Sequence, residues 1–182
     1  DKSVSRGLGD VYKRQELSQG KSFAEIKGLS YHDTQGNIQH TPERELIHDW
    51  DTMPSVFPVY AENLNIRNYL IGYLLNPYIS LYTGRGCPAK CTFCLWPQTI
   101  GGHQYRGKSP EAVGREMAEA KAIWGSSVRE YFFDDDTFTI DKKRAIAISE
   151  HLQRLKLTWS CNARGNLDYN TLKELKLSLI HI

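Results

Sequence analysis

Three cysteines fall within eight residues, as Cys87-Pro-Ala-Lys-Cys91-Thr-Phe-Cys94, a CxxxCxxC spacing. Thiolates are soft ligands that suit iron–sulfur clusters and zinc. Spacers this short let one loop wrap three corners of a cubane. The remaining iron then has no cysteine from that loop and can take an outside ligand. Other chemistries use the same residues. A structural zinc site wants four ligands with a second pair, which Cys161 and His103 could provide. A closed electron-transfer cluster would take Cys161 as its last thiolate. A redox pair of Cys91 and Cys94 would leave Cys87 without a role.

Such residues need elements to position them, and the pattern from about residue 76 is strand, helix, strand, helix. Tyr78–Thr83 is an expected first strand, Val128–Phe133 a second and Leu157–Cys161 a third. Ser109 can cap a helix with Pro110 at its first position and Glu111 near its positive end. Val113, Met117, Ala120 and Trp124 make that helix's apolar stripe, and Gly125 can end it. Asp141 starts a second helix with Ala145, Ile148, Leu152 and Leu155 on one face, and Asp168 caps a third. The run Asp141–Arg144 is expected to be a solvated helix start. Repeated strand–helix units imply parallel strands. The expected fold is α/β, the first three βα units of a truncated (β/α) TIM-like barrel, with an open doubly wound sheet as the alternative. In either, chemistry sits at the C-terminal ends of the strands. The cysteine loop, Asp134-Asp135-Asp136 and Cys161–Arg164 follow strands one, two and three, so all fall on one predicted face.

Residues 16–75 are less regular. Ser22–Tyr31 and Asn37–Thr41 are expected strands around a hairpin turn at Asp33–Gly36, and Pro42, Pro54 and Pro58 punctuate the residues beyond the hairpin. Residues 16–75 are expected to be a linker or the edge of an N-terminal domain, with residues 76–176 the partial core. The ends have another expected origin. One DNA element, translated on opposite strands, can encode both Asp10–Gln15 (DVYKRQ) and Leu177–Ile182 (LSLIHI). Residues 1–15 and 177–182 are therefore expected to be translated sequencing adapter. Four of the 23 basic and two of the 21 acidic residues lie in 1–15, which leaves 19 of each elsewhere. That balance gives no hint of nucleic acid. No apolar run approaches the ~20 residues that span a bilayer. Four cysteines with three so close do not resemble a disulfide framework, and a reducing, cytoplasmic setting fits.

Gly84-Arg-Gly-Cys-Pro-Ala-Lys-Cys-Thr-Phe-Cys94 resembles the signature of the radical S-adenosylmethionine (SAM) superfamily, in the flavour that often follows a cobalamin-binding domain. Tyr131–Thr139 is similar to that subgroup's second-strand motif, and Asn162-Ala-Arg164 to its third. The resemblance implies a [4Fe-4S] cluster on Cys87, Cys91 and Cys94, with SAM on the open iron. One electron from a reductant such as flavodoxin or ferredoxin would cleave SAM to methionine and a 5′-deoxyadenosyl radical. It also implies SAM contacts from Phe93 near the adenine, from Asp135 and Asp136 at the ammonium, and from Arg164 at the carboxylate. Catalytic residues proper are not assigned. Most of residues 16–176 resembles the hopanoid-biosynthesis-associated radical SAM proteins, and Cys94–Arg106 (CLWPQTIGGHQYR) carries that likeness best. That likeness implies action on a hopanoid side-chain sugar, as in cyclitol ether formation, at the inner membrane surface. Cobalamin is a further cofactor expected of the longer protein. A cobalamin-dependent methylase, a methylthiotransferase and a zinc-stabilised non-enzymatic module are the alternative functions.

Overall fold

The structure, a computed structural model, describes residues 8–97, 102–178 and 180, and of residues 8–12 only the backbone. Residues 98–101 and much of the two expected adapter ends lie outside the described residues. The chain divides into two compact units, residues 1–47 and 48–182.

The first unit holds helix α1 (Leu8–Ser18) and an antiparallel hairpin of β1 (Ser30–His32) and β2 (Ile38–His40). Its turn is where the sequence places it. Asp33 Oδ1 accepts from the Gln35 and Asn37 amides at 2.9 Å each, and Gly36 takes φ +84°, a conformation favouring glycine. The first strand is shorter than expected, because Phe23–Glu25 forms a 3-10 turn with Glu25 folded back onto Ser22. Residues 10–15 lie inside α1; a helix is silent on the origin of the DNA encoding it.

In the second unit, α2 (Phe57–Asn63) begins with Pro58 in its first turn, where the missing N–H costs nothing. The expected extended stretch is thus partly helical. Phe57 is fully buried and packs edge-on against Trp124 at 5.6 Å between ring centroids. Residues 48–75 therefore share a compact unit with the strands.

Three strands then run parallel in the order β3 (Tyr78–Leu81), β6 (Glu130–Phe133), β7 (Trp159–Cys161). Helices α3 (Pro110–Trp124), α4 (Lys142–Arg154) and α5 (Tyr169–Leu177) follow them in turn. Each helix starts as its sequence dictates: Ser109, Asp141 and Asp168 side chains accept from the amides of Ala112, Arg144 and Thr171. Gly125 ends α3 at φ +55°. Ile79, Leu81, Tyr131, Phe133 and Trp159 alternate onto one sheet face. Their core partners are Val113, Met117 and Ala120 from α3, Ala145, Ile148 and Leu152 from α4, and Leu175 from α5. Between β3 and α3 the chain makes a further short ladder. There β4 (Gly84–Arg85) pairs antiparallel with β5 (Arg106–Gly107), closing the base of the long loop that carries the cysteines.

Candidate functional site

The parallel register pairs Leu81 with Phe133 and Phe133 with Cys161, so the three strands end level. The next residue of each, Tyr82, Asp134 and Asn162, meets its neighbours across the mouth of the sheet. Asp134 accepts from the Tyr82 hydroxyl at 2.8 Å and from the Asn162 side-chain amide at 2.9 Å. The mouth therefore carries the chemistry-bearing residues on the one face that the topology predicts.

The cysteine loop rises from this mouth. Cys87 is buried and held at three points. Its amide donates to the Gly102 carbonyl at 3.1 Å, its carbonyl lies 3.1 Å from His103 Nδ1, and its Sγ lies 3.6 Å from the Thr137 hydroxyl. Gly102 is in the left-handed region at φ +67°, which lets the returning chain fold back onto Cys87. Cys91 and Cys94 are half-buried, and the Cys94 amide donates to the Cys91 carbonyl at 3.1 Å, a tight turn that places both thiols on one bend. Phe93, between them, is 90 % exposed at the loop's surface. All four cysteines are free thiols. Among the described residues, no three His, Cys, Asp or Glu side chains are drawn together as a metal-binding group. The donor set nonetheless fits a thiolate-bound cluster: three unpaired thiols on one short loop, with the first anchored to the scaffold and the others on a hydrogen-bonded turn.

Asp135 and Asp136 are brought to the start of this loop. Asp135 is fully buried and accepts from the Thr83 amide at 2.6 Å and the Thr83 hydroxyl at 2.7 Å. Burial raises its carboxyl, while the bonds from Thr83, the Arg144 charge and the Gly84 amide oppose that rise. Asp136 accepts from the Gly86 amide at 2.7 Å and lies 3.7 Å from the Arg85 guanidinium. Both acids thus grip the backbone leading into Cys87. Arg164 is exposed in the loop after β7. Cys161 is part-buried at the end of β7, and burial, with the Asp135 charge second, pushes its thiol up to about 12. That burial disfavours the thiolate form that a metal ligand requires.

Two contributors were not evident in the sequence. Asp134 takes the central place in the mouth only because the register aligns it with Tyr82 and Asn162. Arg144, expected at a solvated helix start, is 8 % exposed and donates to the Thr83 and Lys108 carbonyls. A sequence signal existed: Arg144, Ile148 and Leu152 repeat every four residues along the buried stripe of α4.

No protein-family profile matches the chain. The chain is 34 % identical over 169 residues to an uncharacterized methyltransferase of Pyrococcus horikoshii, covering 90 % of the chain and 35 % of that protein. It is 26 % identical over 173 residues to the cytidylyl-2-hydroxyethylphosphonate methyltransferase of Streptomyces wedmorensis, covering 80 % of the chain and 31 % of that protein. Its fold is that of the radical SAM methyltransferase TsrM from Kitasatospora setae, with a TM-score of 0.65 at 16 % identity over 94 % of the chain and 34 % of TsrM. The cobalamin-dependent SAM radical enzyme OxsB shares the fold at a TM-score of 0.59 and 19 % identity, over 93 % of the chain and 24 % of OxsB. The chain thus spans about a third of the length of the curated relatives it matches.

Proposed function

We propose that this chain is the cluster-bearing part of a cobalamin-dependent radical SAM methylase. The observation that carries the reading is the anchored CxxxCxxC loop at the C-terminal mouth of parallel strands, in a chain similar to methyltransferases. The proposed sheet is the opening of a (β/α) barrel. Helices α3, α4 and α5 all pack on one of its faces, whereas a doubly wound sheet spreads its helices over both.

Cys87, Cys91 and Cys94 would hold a [4Fe-4S] cluster, which supplies single electrons to SAM when reduced by a partner such as flavodoxin or ferredoxin. The remaining work falls to this chain's own side chains. Phe93 is exposed and apolar, suited to cover an adenine. Arg164, also exposed, presents a fork of donors suited to a carboxylate. The acidic run Asp134–Asp136 provides negative charge for the SAM ammonium. Asp135 and Asp136 take that role by resemblance, and Asp134 is the member least enclosed by the loop backbone. Cobalamin would bind outside the described residues as the methyl carrier. The place of action is the cytoplasm.

A second reading has its own support. Cys94–Arg106 resembles the hopanoid-associated proteins, which favours hydrogen abstraction from a hopanoid side-chain sugar at the inner membrane surface. The curated relatives, both methyltransferases, favour methyl transfer. Anaerobic reconstitution of the full-length protein separates them. With reductant, SAM and cobalamin, a methylase releases S-adenosylhomocysteine in a cobalamin-dependent way. The hopanoid reading expects 5′-deoxyadenosine without S-adenosylhomocysteine, with hopanoid consumed and no dependence on cobalamin. Iron-loaded protein that leaves SAM intact in every combination would refute both.

A further inference from the structure

We infer that Arg144 is a positioning residue for the cysteine loop, fixing the two ends of the loop to one another from beneath. The inference rests on the reading of that loop as a cluster carrier. The loop leaves the scaffold at Thr83 and rejoins it at Lys108, just outside the β4–β5 ladder. Lys108 N–H donates to the Thr83 carbonyl at 2.8 Å. The Arg144 guanidinium spans both: Nη2 donates to the Thr83 carbonyl at 3.0 Å and Nε to the Lys108 carbonyl at 2.7 Å. On the opposite side of Thr83, Asp135 accepts from its amide and hydroxyl. Thr83 is thus held by its N–H, its hydroxyl and its carbonyl, with no surface exposure.

The chemistry explains why an arginine stands here. Two backbone carbonyls on separate segments need two donors in a fixed fork, which a planar guanidinium provides and an ammonium does not. A cation buried to this degree must be compensated. The Asp135 carboxylate and the Tyr105 and Phe138 rings, each 5.9 Å from the guanidinium carbon, face it. The fork sits four residues along α4 from core residue Ile148, so the helix that packs the core also sets the loop's base.

The test uses hydrogen exchange of the whole chain without metal, comparing Arg144→Gln and Arg144→Lys with the parent. Arg144→Gln is expected to speed exchange of the Gly84–Cys87 and Arg106–Lys108 amides at least tenfold, with β6 and β7 amides unchanged. Arg144→Lys keeps the charge but loses the fork, and is expected to speed exchange at one loop end and not the other. Alkylation of Cys87 in the metal-free chain should accelerate alongside. Unchanged exchange at both loop ends in the Lys variant overturns the inference, as does a uniform rise across the sheet. Should Arg144→Gln not fold, the Lys variant alone decides by the same criteria. Iron content after reconstitution is measured separately. A parent chain that never takes up iron refutes the cluster reading while leaving the exchange result standing.

Discussion

Cys87 differs from the other two cysteines of its motif. It is buried and fixed at its amide, carbonyl and sulfur, whereas Cys91 and Cys94 are half-buried on one turn. Replacing any of the three with Ala is expected to abolish cluster formation, read as iron content after anaerobic reconstitution. Cys161→Ala is expected to keep the parent's iron content, because it lies outside the cysteine loop in a part-buried strand end where burial disfavours its thiolate. Iron lost in that variant would favour a closed cluster. A second residue-level outcome concerns pH. Asp168 accepts from Lys142 and from the Thr171 amide and hydroxyl, which hold its carboxyl well below the usual range. A folded-state value below the unfolded one stabilises the fold above the unfolded value and ceases to do so as pH falls through the folded one. The melting-temperature deficit of Asp168→Asn should therefore be full at neutral pH and shrink below about pH 4. A deficit that grows in acid would contradict this assignment. The cysteines and the capping aspartates were legible from residue type and spacing. The roles of Asp134 and Arg144 were not, because each depends on a neighbour more than 25 positions away that only the register supplies.

At the scale of elements, the βα units follow from the sequence because α3, α4 and α5 each carry a capping side chain, and α3 and α4 a four-residue apolar stripe. Ser109→Ala should cost about 1 kcal/mol, the usual loss of an N-cap, measured by denaturant unfolding. The β4–β5 ladder was not foreseen, since two residues a side leave no periodicity to detect. Its glycines are explained by contact instead. A Cβ on Gly84 would lie 2.8 Å from the Tyr105 hydroxyl oxygen and 3.0 Å from the Arg106 carbonyl. The backbone atom cannot move aside without breaking the ladder, so Gly84→Ala should destabilise by about 1–3 kcal/mol. An unfolding midpoint equal to the parent's would show that the ladder yields more freely than this packing implies. The second element the sequence obscured is α2, where a proline that looks like a breaker serves as a helix start.

For the chain as a whole, the second unit draws its stability from a core between one sheet face and three helices, sealed at one end by Phe57. Phe57→Ala should cost about 3–5 kcal/mol and show that residues 48–63 fold together with the strands. Loss confined to the N-terminal segment would argue for a separable linker. The chain spans about a third of the length of the curated relatives it matches. The proposed function requires this chain to present three thiolates to a cluster and leave one iron open. Electron paramagnetic resonance of the reduced, reconstituted protein, recorded with and without SAM, tests that most directly. The account predicts a [4Fe-4S] signal whose g-values shift when SAM is added. A signal indifferent to SAM, or protein that carries zinc and no iron, would contradict it.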